Sequence, residues 1–507
     1  MNKYYVTTPI YYANDKPHIG HAYTTIAADV LARYHKLRGE DVWFLTGLDE
    51  HGSKVPASAD KLGKDVNDFV DEQAVFFKKA WQNLNISNDD FIRTTERRHK
   101  TGAQKFLQIL KDKNVLYKGK YSGLYCVGCE KFITGKELVN GKCPDHKKFP
   151  EKVEEENWFF KLSDYSKKVR DLIIEDEIEI LPKARKNEVL GLFDELDDFS
   201  VSREKVKWGV PLPFDKNQIT YVWIEALTNY LNALDFEHDG KLFKKFWPVN
   251  LHLMAKEIIK FHCIFWPAML LAAGFEMPRS IFAHGFFTIN GEKMSKTIGN
   301  VIDPNEMVGK FGADGTRYLL LTQFPFGVDG DVQEDRFAEK YNADLANKLG
   351  NLVSRTIAMT GKFFGYKVPK IRKSIDRLPL QSSGYVENCW NMIFPKVRER
   401  LNEDLDLYEA LNHIWRFIDA ANTYVDKNEP WNLAKQGKDI ELSEVMYDLL
   451  FSLKKLLIIL HPFIPEASLK IAKALGLETI KFADIDKPLK SGKKISKIEI
   501  LFPRVEK

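Results

Sequence analysis

Apolar positions along the chain recur in two patterns, and the change between them divides it. Lys3–Thr8 and Val42–Thr46 have the unbroken apolar character of parallel strands covered on both faces. Between them Gly20–Arg38 places Ile26, Val30 and Leu37 on one helix face, with Pro17 ending the loop before it and Gly39 stopping it. Strand, helix and strand make a βαβ unit, right-handed by default, which binds ligands at the carboxyl ends of its strands. Tyr117–Pro213 breaks the alternation. It is rich in lysine and glutamate, holds a cysteine cluster, and reads as an insertion. Ile219–Leu234 and Leu251–Ala273 return to strand and helix patterns. Ser280–Thr288 predicts a further strand ending in an Asn290-Gly291 turn. From Leu345 onward the leucines are helically spaced, and Pro462 and Pro465 separate one helix from the next. The fold class expected is α/β with a metal-bearing insert, followed by an all-α domain.

Composition narrows this little. At 507 residues, 44% hydrophobic and 29% charged, the chain is globular and long enough for about three to four domains of ~150 residues. The net charge of +4 is unevenly spread: residues 346–507 carry 27 Lys/Arg against 20 Asp/Glu, a mildly basic third that fits a polyanion partner. The N-terminus lacks the apolar core of a signal peptide, and the longest apolar run, Ile264–Phe275, is too short to span a bilayer. Of five cysteines, three fall within 18 residues, so a cytoplasmic protein with a metal site is expected rather than a disulfide framework.

Three constellations could carry chemistry. His18-Ile-Gly-His21 follows a strand and opens a helix; Gly20 lets backbone approach a phosphate, the helix start favours anions, and two imidazoles can donate to phosphate oxygens. Glu292-Lys-Met-Ser-Lys-Thr297 sets Lys293 and Lys296 around Ser295 on a loop able to clamp a triphosphate, although such lysines alone would read as solvated charges. Cys126-x2-Cys129-x13-Cys143-x2-His146 has the spacing of a closed, structural tetrahedral Zn²⁺ site, with His146 the weakest member because Asp145 adjoins it. In the helical part, Asn351 and Arg355 are i,i+4 neighbours beside the stripe Leu345, Leu349 and Leu352; with Trp431 they could read and stack on unpaired bases.

The first two motifs together, in this order, resemble the signature pair of class I aminoacyl-tRNA synthetases, with Thr297 in place of the usual serine. Thr7–Ala13, Gly47–Gly52, Tyr221–Ala226, Lys256–His262 and Asn351–Arg355 narrow the resemblance, nearly end to end, to the methionyl-tRNA synthetases. The resemblance implies a Rossmann-type parallel-sheet catalytic domain in two halves, 1–116 and 214–288. It also implies a zinc-bearing connective insert (117–213), a stem-contact region with the Lys-Met-Ser-Lys loop (289–345) and an α-helical anticodon-binding domain (346–507). It makes His18, His21, Lys293 and Lys296 catalytic, with Gly20 and Ser295 completing the ATP site and Mg²⁺ accompanying ATP. It assigns methionine to Ile10, Tyr12, Asp49, Trp223, Ala226, Tyr230, Ile258 and His262, with Arg203 near the substrate carboxylate and ATP. Asn351, Arg355 and Trp431 then meet the CAU anticodon of tRNA(Met), the initiator included. The residues suit these roles: a thioether packs well on aromatic edges such as Trp223, Tyr230 and Phe261, and Ile258, Phe261 and His262 would share a helix face. Ile498–Lys507 looks like the end of the family's core without a dimerisation domain, so a monomer is expected. A nucleotidyltransferase would leave the zinc insert and basic helices without purpose, and a zinc-bearing RNA-binding protein would leave both phosphate motifs unexplained. A cysteine enzyme is a weaker option within the synthetases.

Overall fold

The central strands are apolar on both sides because each side meets a different core. In the computed structural model, which describes residues 2–133, 135–144, 147–289, 291–294, 301–371 and 384–506 (backbone alone at 136, 195, 292 and 293), β1 (Lys3–Tyr12), α1 (Ile19–Leu37) and β2 (Asp41–Asp49) come first, and β3 (Asp90–Arg93) follows two further helices, Lys54–Lys61 and Val66–Asn83. Tyr5 and Val6 are adjacent in β1, both fully buried, and belong to separate hydrophobic clusters on opposite faces of the sheet. Six parallel strands run in the order β3, β2, β1, Leu251–Ala255, Ser280–His284, Glu179–Leu181. The order reverses between β1 and Leu251–Ala255, so the sheet's topological switch point lies beside the carboxyl end of β1.

Several boundaries differ from the sequence reading, each for a physical reason. β1 and β2 continue past Thr8 and Thr46 to Tyr12 and Asp49, with an irregularity between Thr7 and Ile10 where Pro9 lacks an N–H for the ladder. Within these extensions Tyr11 and Leu48 stay buried in the core, while Pro9, Ile10 and Tyr12 are only half-buried. The stretch 117–213 holds a four-stranded antiparallel sheet (Lys131–Ile133, Leu116–Cys126, Glu151–Phe160, Phe199–Ser200), yet Glu179–Leu181 within it pairs with Ser280–Phe282 as an edge of the main sheet. The strand expected over Ser280–Thr288 splits into Ser280–His284 and Phe287–Ile289. At Gly285 between them the backbone of Val328 comes so close that a Cβ would lie 2.2 Å from its carbonyl. Phe287–Ile289 then pairs antiparallel with Glu292–Lys293 across a turn in which Gly291 has φ +76°; Asn290 lies outside the described residues.

The C-terminal part is helical, with Asn351–Phe364, Tyr385–Asn402, Leu407–Asn428, Pro430–Lys435, Asp439–Leu460 and Pro465–Ala474. Among the described residues no helix is long and apolar enough to cross a membrane. A buried charge network ties this part to the sheet. Arg317, in the helix Pro304–Leu321, is fully buried. It pairs with Asp29 of α1 at 2.7 Å and donates to the carbonyls of Phe463 (2.7 Å) and Pro462 (2.8 Å), between the last two of these helices. Burial opposes the charge on Asp29, but Arg317 and Arg33 outweigh it and hold the carboxyl below its ordinary range. Arg317→Met should therefore leave a buried carboxylate and the three carbonyls of Leu84, Pro462 and Phe463 short of donors. Denaturant unfolding should show a loss of about 3–5 kcal/mol, whereas an unchanged midpoint would mean the network does not join the two parts.

Candidate active site and metal centre

The start of α1 is capped by its own histidines. His18 is the N-cap, and its Nδ1 accepts the Gly20 N–H at 3.0 Å; Nδ1 of His21 accepts the His18 N–H at 3.3 Å. This is a capping box with imidazoles in place of a hydroxyl and a carboxylate. The two rings stack with centroids 3.8 Å apart, and Tyr11 lies against His21 at 4.8 Å. An Nδ1 that accepts a hydrogen bond carries no proton, so each neutral ring is an Nε2–H donor. Gly20 is required on steric grounds, because a Cβ there would lie 2.9 Å from Cε1 of His18.

A cavity of about 250 Å³ opens at the switch point. Ile10, Tyr12, Asp49, Trp223 and Ile258 line it from one side, and His18, Gly20, His21 and Thr24 from the other. Trp223 stacks on Phe261 at 4.5 Å, giving a flat aromatic wall. Ala226, Tyr230 and His262 stand behind this lining and are buried. The Tyr230 hydroxyl donates to Nε2 of His262 (2.7 Å), whose Nδ1–H donates to the Ile258 carbonyl (3.0 Å). Burial pushes the His262 imidazole down to about 4, so it is neutral at physiological pH. The regular helix expected over 258–262 is instead a 3-10 turn at Lys256–Ile258 followed by a π turn from Phe261 to Phe265. Asp49 is buried at the end of β2; burial, then the charges of Glu225 and Glu130, push its carboxyl well above the ordinary range.

Arg203 does not join this lining. It is only 5% exposed, not a surface residue. Its guanidinium forks onto Glu155 (2.8 and 3.0 Å) and lies over the rings of Tyr125 and Phe132. The Lys-Met-Ser-Lys segment approaches α1: Met294 lines the cavity, its Cε 3.3 Å from where a Gly20 Cβ would sit. The side chain of Lys293, together with Ser295 and Lys296, lies outside the described residues.

The sulfurs of Cys126, Cys129 and Cys143 all lie within 4.8 Å of one another, with Cys129 and Cys143 3.5 Å apart. Thiolates around tetrahedral zinc, at a Zn–S distance of about 2.3 Å, would be about 3.8 Å apart, so the cluster fits that ion. His146 lies outside the described residues. In the helical part, Arg355 bonds Asp426 at 3.0 Å and lies over the Trp431 ring at 5.6 Å, while Asn351 is exposed one turn earlier. The three residues therefore share one face.

Residues 4–149 and 137–357 match a family model described as tRNA synthetases class I (M), and residues 397–507 match the anticodon binding domain of methionyl tRNA ligase. A methionine–tRNA ligase of Caldanaerobacter subterraneus subsp. tengcongensis is 42% identical over 99% of this chain and 79% of its own length. One of Streptomyces coelicolor is 39% identical over 99% of this chain and 97% of its own. The Mycobacterium tuberculosis methionyl-tRNA synthetase solved with methionyl-adenylate superposes with a TM-score of 0.95 at 36% identity, covering 99% of this chain and all of that one. The chain belongs to the methionyl-tRNA synthetases. Its activity is methionine–tRNA ligation, in which methionine is activated with ATP and transferred to tRNA.

Two buried carboxylates that no local sequence pattern singles out also shape the site of this methionyl-tRNA synthetase. Glu225 lies between Nδ1 of His51 (2.6 Å) and Nε2 of His99 (2.9 Å). Burial opposes its charge, but both imidazoles hold it down to about 2. Glu130, next to Cys129, reaches Tyr12 of the cavity. Both residues stand inside conspicuous motifs, but no local pattern signals their distant partners. The state of Asp49 yields a pH dependence. Its pKa is raised in the folded chain, and holding an ammonium requires the carboxylate. The KM for methionine should therefore rise as pH falls through a value above the ordinary aspartate range of about 4. Asp49→Asn should remove that dependence and weaken methionine by about 1.5–3 kcal/mol. A parent KM that stays flat down to the ordinary aspartate range would contradict the assignment.

Proposed function

We propose that this cavity holds methionine and ATP together. The methionine thioether lies against Trp223 and Ile258, its ammonium on Asp49 and Tyr12, with Ile10 closing the floor and Ala226, Tyr230 and His262 setting the back wall. The α1 start, His18, Gly20 and His21, receives the phosphates of ATP, and Lys293, Ser295 and Lys296 close over them. The observation that carries this reading is that two Nε2–H imidazoles and a buried carboxylate open onto one cavity at the switch point. The methionine carboxylate oxygen attacks the α-phosphorus; that P–O bond forms as the bond to the bridging oxygen breaks, and pyrophosphate leaves. The imidazole donors and the lysines meet the charge that develops on these oxygens. A ribose hydroxyl at the tRNA 3′ end then attacks the methionyl carbonyl and AMP departs. Mg²⁺, bound with ATP, would neutralise phosphate charge.

Cys126, Cys129, Cys143 and His146 would hold one zinc, which when bound supplies folding free energy to the insert and no reaction step. Asn351, Arg355 and Trp431 would recognise the anticodon of tRNA(Met), initiator included. The proposed working form is a monomer acting in the cytoplasm. ATP–pyrophosphate exchange run with each common amino acid should proceed with methionine alone. Trp431→Ala should leave that exchange intact while weakening aminoacylation by about 1–3 kcal/mol, the worth of one stacked base. Exchange supported by cysteine, or equal loss in both assays, would overturn the proposal.

A further inference from the structure

The metal knuckle carries a carboxylate that its own fold does not need. Glu130 follows Cys129 in the turn between Leu116–Cys126 and Lys131–Ile133, has a left-handed backbone (φ +51°), and is 2% exposed. A buried carboxylate needs donors, and this one takes them from the catalytic domain. Oε1 accepts from the N–H and hydroxyl of Ser53 (both 2.5 Å) and from the N–H of Lys54 (2.9 Å). Ser53 is the N-cap of the helix Lys54–Lys61, yet its own side chain makes no capping bond, so Glu130 satisfies that helix start from another element. The Tyr12 hydroxyl shares its one proton between Oε2 and the His51 carbonyl. The main-chain carbonyl of Glu130 takes the Tyr221 hydroxyl at 2.7 Å. Gly52 has φ +93°, and a Cβ there would lie 2.4 Å from the Tyr12 hydroxyl and 2.6 Å from Oε2 of Glu130.

We infer that Glu130 is a positioning residue for amino-acid binding: anchored in the cysteine knuckle, it fixes the Tyr12 hydroxyl and the start of the helix Lys54–Lys61 against the cavity. This rests on reading the cavity as the methionine pocket. Tyr12 lies on β1 two residues beyond Ile10, and Asp49 pairs with it in register, so a freed Tyr12 disturbs the site that takes the ammonium.

The test is ATP–pyrophosphate exchange on the whole chain with Glu130→Ala, Glu130→Gln, Tyr12→Phe and the Glu130→Ala/Tyr12→Phe pair, with Trp223→Ala as control. Metal content and circular dichroism are measured on each. Glu130→Ala should raise the KM for methionine about tenfold, with the KM for ATP within about twofold of the parent and metal content unchanged. Glu130→Gln, which keeps an acceptor for Ser53 and Lys54, should raise it less. The pair should add little to Glu130→Ala, because both changes remove the shared bond between Tyr12 and Glu130. If Glu130→Ala does not fold, Glu130→Gln and Tyr12→Phe must still raise the methionine KM selectively. A methionine KM unchanged in the Glu130 variants while Trp223→Ala raises it would overturn this role alone. Equal rises for methionine and ATP would also overturn it. A KM unmoved by Trp223→Ala would overturn the pocket reading beneath it.

Discussion

A helix that begins at the middle of a parallel sheet presents unpaired N–H groups to whatever lies at the carboxyl ends of the strands. α1 is that helix here, and the remainder of the site follows from how its first turn is satisfied. Two imidazoles turn their Nδ1 atoms inward to the backbone, which commits their protons to Nε2. Helix dipole and imidazole donors therefore favour the same kind of ligand, an anion with several oxygens. The glycine between them is fixed by the cap itself, since a side chain at position 20 would collide with His18.

The rest of the site is organised by carboxylates withdrawn from water. Asp49 is pushed toward its neutral form by burial and by Glu225 and Glu130, so the ammonium proposed to bind there would supply the cation that its surroundings lack. Glu225 is kept ionised between two histidines, and Asp29 between two arginines. Each charge is buried with its partners already in place, which lets a low-dielectric pocket keep its shape. The Asp29–Arg317 network extends the same principle to the junction with the anticodon-binding helices, where Arg317 satisfies carbonyls at Pro462 and Phe463.

What the sequence reveals follows from what repeats locally. Apolar runs and helical leucine spacing report burial, so β1, α1, β2 and the C-terminal helices are legible. The signature motifs are legible because their chemistry needs particular residues close together in the chain. The ends of β1 and β2 carry Tyr12 and Asp49 beyond Pro9 and Gly47, residues that locally read as strand breakers, so the local pattern does not announce their pairing. Glu179–Leu181 is too short and too far from Ser280–Phe282 to announce a shared sheet. Arg203 looks like any exposed arginine until Glu155, on a strand 48 positions earlier, is folded against it. Glu130 reads as an ordinary residue after a cysteine, because Ser53 and Tyr12 lie far back in the chain.

The central claim, that the α1 cap fixes both histidines as Nε2–H donors, is tested directly by long-range ¹H–¹⁵N correlation spectra. The chain would be labelled with ¹⁵N-histidine, and the two signals assigned with His18→Gln and His21→Gln. Neutral rings protonated on Nε2, with unprotonated Nδ1 atoms at the shift of hydrogen-bond acceptors, are the expected result. A proton on Nδ1 of either ring would contradict the cap, and with it the proposed orientation of the donors toward phosphate.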